Sequence, residues 1–80
     1  MIVAAQIRAG RALLGWTQGE LAKRAQVAPR TLALYEQDKR LPYDRTLDRI
    51  TAALEDGGVR FVDLEEGRGA VLIPSPYAGD

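Results

Sequence analysis

The chain contains no cysteine and no histidine. Without cysteine there is no disulfide frame and no thiolate metal site. Without histidine the commonest general base and metal ligand is missing. No phosphate-cradling loop or paired-carboxylate cleft takes its place. The acidic pairs Glu55-Asp56 and Glu65-Glu66 stand beside glycines and read as solvated turn residues. The expectation is therefore a protein that is not an enzyme and needs no cofactor or metal. Apolar runs long enough for a membrane span are also absent. The opening MIVAAQIRAGR places its basic residues after the apolar ones, the reverse of a cleavable signal, so a cytoplasmic location is expected. An overall charge of one sign is lacking too, with 11 Lys/Arg against 11 Asp/Glu. Its distribution is uneven. Residues 1–45 carry eight Lys/Arg and four Asp/Glu, and residues 46–80 carry three and seven. Such a bipolar domain can turn one face to phosphate and keep the other away from it. Eighty residues make one small domain whose core is marginal alone, so a dimer would help.

What is present is concentrated in residues 17–40, TQGELAKRAQVAPRTLALYEQDKR. Thr17 and Glu20 have the T-x-x-E spacing of a capping box, and Trp16 with Leu21 has the spacing of a hydrophobic staple. A helix is thus expected from Gln18. Leu21, Ala22 and Ala25 give it an apolar face, and Lys23 and Arg24 read as solvated. Gln26-Val27-Ala28 is long enough only for a turn. Pro29 suits the first position of a second helix, where its missing N–H costs nothing. In that helix Leu32 and Tyr35 face inward, while Arg30, Ala33, Leu34 and Gln37 face outward. Two short helices across a three-residue turn make a helix-turn-helix.

These residues resemble the DNA-binding core of the phage repressor/Cro-like (Xre-type) regulators. The resemblance is carried by Gln18, Glu20-Leu21-Ala22, Thr31-Leu32, Tyr35-Glu36, Lys39-Arg40 and Pro42, and it spans roughly residues 7–54. Gln26 and Asp38 depart from it, standing where such proteins usually have glycine. If the backbone there needs positive φ, Gln26 is strained and Asp38 tolerates it better. Ala28 replaces the usual Ser or Thr cap, a loss of about 1 kcal/mol. The resemblance implies a mainly α fold, a four-helix lambda-repressor-like helix-turn-helix domain, here with a C-terminal β-hairpin. It also implies that Arg11 pairs with Glu36 to fix the first helix against the third. On residues alone, Arg11 could instead extend to solvent, and Arg8 is open between a solvated residue and a phosphate contact.

Elsewhere the pattern is simpler. Val3, Ile7 and Leu14 predict a helix over 4–14 ended by Gly15. Leu47, Ile50 and Leu54 predict another over 44–56, stopped by Gly57-Gly58. Residues 59–64 and 70–73 then read as two strands joined by a five-residue turn over 65–69. The expected division is a DNA-binding helix-turn-helix unit at 1–56, a dimerisation hairpin at 57–74 and a frayed tail at 75–80. Two strands alone are marginal in water. The hairpin is therefore expected to pair two copies, with Phe61, Val71 and Ile73 across the two-fold axis. The alternative is that it only caps the monomer core.

A helix fits the major groove of B-DNA. The candidate base-contacting residues are Pro29, Arg30, Ala33 and Leu34. Arg30 matches the O6 and N7 of guanine, and Leu34 matches a thymine methyl. Arg30 could otherwise be one more surface arginine, and Leu34 could pack on a neighbouring loop. The candidate phosphate contacts are Gln18, Thr17, Thr31, Gln37, Lys39, Arg40 and Arg45. Thr31 is open between phosphate and a local back-bond. In the resembled family the glutamine at Gln18 holds a phosphate and touches the residue at Arg30. The expected function is that of a small dimeric transcriptional regulator, a repressor, on palindromic double-stranded DNA and hence on the nucleoid. The competing reading is a protein-interaction or antitoxin-type module that keeps this fold and binds a partner protein.

Overall fold

A computed structural model describes residues 2–39 and 45–74. Helix α1 spans Ala4–Leu14, α2 Gln18–Ala25, α3 Pro29–Glu36 and α4 Arg45–Asp56. Strands β1 (Val59–Leu64) and β2 (Gly67–Leu72) follow as one antiparallel hairpin. The fold is thus mainly helical, four helices with a C-terminal hairpin. Asp44, Arg40, Pro42 and the tail from 75 lie outside the described residues.

The first three helices end in the same way. Gly15, Gln26 and Asp38 have φ of 69, 59 and 60°. At each end the next N–H reaches back five residues: Trp16 to Arg11, Val27 to Ala22, Lys39 to Leu34. This is the Schellman ending, and only Gly15 adopts its left-handed residue without strain. Gln26 and Asp38 do stand where positive φ is required.

Ile7, Leu21, Leu32, Ile50, Leu54 and Val59 are fully buried, one or two from each of α1–α4 and one from β1. The core therefore sits between the helices and the inner face of the hairpin. Gly57 closes it at one edge. A Cβ there would lie 2.8 Å from Leu14 Cδ1 and 2.9 Å from Trp16, so no larger residue fits without movement.

The hairpin differs from the sequence expectation. Its turn is Glu65-Glu66 alone, with Leu64 opposite Gly67, not a five-residue turn over 65–69, and the second strand starts at Gly67 instead of Ala70. Neither glutamate has positive φ, so the turn is not of the primed type that Asn-Gly signals. Gly69 pairs with Val62, and Val62 Cγ2 lies over it. Phe61 pairs with Ala70, and both pack on the core; Val71, opposite Arg60, belongs to the other face with Ile73. Phe61 therefore does not share a surface with Val71 and Ile73. The outer face carries Val62, Leu64, Val71 and Ile73, the last three exposed.

One buried side chain ties this hairpin down. Gln6 Nε2 donates to Val62 O at 3.3 Å and to Gly69 O at 2.9 Å, while its Oε1 accepts from Val3 N–H at 3.0 Å. Its amide thus serves both strands and the start of α1, so both of its polar atoms have partners.

Candidate nucleic-acid interface

The site is built on α3. Pro29 occupies its first turn, and Ala28 before it supplies no side-chain cap. Leu32, Tyr35 and Glu36 are buried, which fixes the inner face. At 100° per residue the opposite strip holds Arg30, Ala33, Leu34 and Gln37. Arg30, Pro29 and Gln37 are exposed; Ala33, Leu34 and Thr31 are half-buried. Arg30 is open to solvent, whereas Leu34 is partly covered by the monomer.

The other end of α3 is held from beneath. Glu36 is 3% exposed, yet it forms an ion pair. Arg11 grips its carboxylate with two donors, Nε to Oε2 at 2.9 Å and Nη2 to Oε1 at 3.0 Å. Such a forked pair fixes direction as well as distance. Arg11 Nη1 also donates to Trp16 O at 3.1 Å. Gln18 Nε2 adds a third donor to Glu36 Oε1 at 3.0 Å. Arg8 Nη1 donates to the backbone carbonyl of Glu36 itself. One carboxylate therefore binds α1 and α2 to the C-terminal turn of α3, and a buried charge so surrounded is not an orphan.

Gln18 accordingly reaches α3 through Glu36, where the resemblance implied Arg30. Its backbone N–H still opens α2 and points out of the helix end, where an anion is favoured. Thr17 is engaged in its cap: Oγ1 accepts from Glu20 N–H at 3.1 Å, and Glu20 Oε1 accepts from Thr17 N–H at 3.0 Å. That backbone bond, then the hydroxyl, holds the Glu20 carboxyl below the usual carboxylate range. Lys39 is exposed just past α3, and Arg45 is exposed at the start of α4. Arg40 lies outside the described residues.

Two residues escape a reading by sequence. Arg8 holds the end of α3, although nothing in its spacing distinguishes it from a solvated arginine. Arg24 is exposed, but its guanidinium lies 4.4 Å from the centre of the Trp16 ring, so it is not simply solvated. Among the described residues no group of three or more acidic side chains gathers where it could hold a metal ion. No described helix is long and apolar enough to cross a membrane.

A capped helix, a tight turn and a second helix with one buried and one open face define a helix-turn-helix protein. A family model described as Helix-turn-helix matches residues 7–55, from within α1 to within α4. The chain belongs to this Xre/Cro-like helix-turn-helix family of DNA-binding transcription regulators. No curated protein matches the chain.

Proposed function

We propose that the protein is a homodimeric repressor that places α3 in the major groove of a palindromic operator. The observation that carries this reading is the asymmetry of α3. Its C-terminal turn is anchored by Glu36, and its first turn presents Arg30 to solvent. Arg30 contacts the O6 and N7 of one guanine, a contact worth about 1–3 kcal/mol of discrimination. Leu34 meets a thymine methyl, and Ala33 and Pro29 let the helix approach the base edges. Gln18 and Thr17 at the start of α2, Thr31 and Gln37 on α3, and Lys39, Arg40 and Arg45 beyond it hold the phosphates.

Two copies join through the outer face of the hairpin, where Val71 and Ile73 are exposed, and a two-fold axis there sets two reading helices about one duplex turn apart. Phe61 supports that face from within its own core. Repression follows from occupancy alone, since a protein covering two half-sites excludes other proteins from them.

Selection of bound sites from random duplex DNA tests the whole reading. The expected result is a palindrome with half-sites roughly 10 bp apart, centre to centre. Lys39→Ala should then weaken all sequences alike and reduce the salt slope by about one. Recovery of no preferred sequence would overturn it.

The exposed apolar face beside the acidic turn Glu65-Glu66 supports a second reading, an antitoxin-type module in which that face binds a partner protein. Sedimentation separates the two. A chain that is monomeric alone and forms no salt-dependent complex with DNA favours the partner protein.

A further inference from the structure

We propose that the protein reads a C5-methylated pyrimidine beside its guanine, binding thymine and 5-methylcytosine alike and more tightly than uracil and unmethylated cytosine. This rests on α3 being the groove-entering helix and adds the chemistry of the neighbouring base pair.

Leu34 lies one turn beyond Arg30 and about 40° round the helix from it. Side chains so placed are about 5–6 Å apart at Cβ, and stacked base pairs are about 3.4 Å apart, a spacing that lets the two side chains meet neighbouring pairs. Of Pro29, Arg30, Ala33 and Leu34, only Arg30 carries a hydrogen-bonding side chain. The Ala28 cap before them adds none. Between Arg30 and Gln37, which the proposed function places on a phosphate, this strip has no other side chain with which to sense the donors and acceptors of a base edge.

Leu34 is half-buried, so part of it remains to be covered by whatever the helix meets. The one apolar group that unmodified bases offer in the major groove is the C5-methyl of thymine. In 5-methylcytosine the same group stands in the same place. The two pairs differ in their hydrogen-bonding groups, which a leucine cannot distinguish. Exposed Arg30 and Lys39 supply the positive charge that brings this strip to DNA and not to an apolar partner.

The test uses the full chain and a duplex carrying its selected site, with affinity read by fluorescence anisotropy at fixed salt. Replacing the thymine beside the contacted guanine by uracil should weaken binding about fourfold per methyl removed. At the same place 5-methylcytosine should bind about fourfold tighter than cytosine. Both differences should vanish in Leu34→Ala and in Leu34→Gln, the second keeping the side-chain length should the first fold poorly. The comparison of duplexes within the wild type needs no variant at all. Equal affinity for thymine and uracil, or methyl dependence that survives in a folded Leu34 variant, overturns the proposal. If binding then still prefers one sequence through Arg30, the groove assignment stands and only the methyl reading falls. If no sequence preference exists, both fall.

Discussion

Helices α2 and α3 are neighbours of equal length, eight residues each, and they are fixed in opposite ways. The start of α2 is specified locally. Thr17 and Glu20 satisfy each other's donors within four residues, and the chain enters past Trp16 with Arg24 stacked on it. The start of α3 has no side-chain cap, and its order comes from the far end, where Glu36 is held by residues of α1 and α2. A helix held from one end leaves the other free of structural duty. Changes at Arg30 should therefore alter recognition with little effect on stability, and changes at Glu36 should do the reverse.

The largest effect that can break this contrast is Glu36→Ala. It leaves the Arg11 guanidinium, only 24% exposed, and the Gln18 amide without their acceptor. Urea unfolding should show a loss of roughly 3 kcal/mol, in the range for breaking a buried pair from one side. Arg30→Ala in the same assay should change stability by less than about 0.5 kcal/mol, as for an exposed surface site. Thr17→Ala comes next. It removes the acceptor for Glu20 N–H, and thermal melting should report a loss of about 1 kcal/mol. Ala28→Ser tests the other helix start. A serine there can accept from the first turn of α3 and should raise stability by up to about 1 kcal/mol; no gain would mean that this helix start already has a partner.

The smallest effect is a pH dependence at α2. The folded-state pKa of Glu20 is lowered, so the unfolded chain takes up its proton first as the solution is acidified. Its contribution is complete above the ordinary carboxylate pKa and is lost as pH falls through the lowered folded value. The advantage in Tm of the wild type over Glu20→Gln should therefore shrink on acidification. A constant difference would deny the charged cap its role.

Much of this architecture is legible because the helices are punctuated. Gly15, the Thr17 and Glu20 pair, and Pro29 mark ends through rules that act over four residues, and α1 to α3 fall where those marks place them. The Arg11 and Glu36 contact is different in kind. Its residues are 25 apart, and resemblance, not spacing, implies it. Gln6 shows what local pattern cannot carry. It is a polar residue on the buried side of α1, and its acceptors are backbone carbonyls 56 and 63 residues away, which leave no trace in side-chain identity. The turn of the hairpin is hidden from local pattern because Gly67 and Gly69 look like turn residues. They are strand residues, with Gly69 opposite Val62 and Gly67 opposite Leu64. Apolar character alone does not separate Phe61 from Val71 and Ile73. Once the shorter turn sets the register, alternation sends Phe61 inward.

The most direct test of the central claim, that the free first turn of α3 carries Arg30 to a base edge, is methylation interference at guanine N7 in the selected operator, done with the wild type and with Arg30→Ala. The account predicts that methylating one guanine per half-site blocks the wild type and has no further effect on the variant. Interference at the same guanine in both proteins, or at none in the wild type, would contradict it.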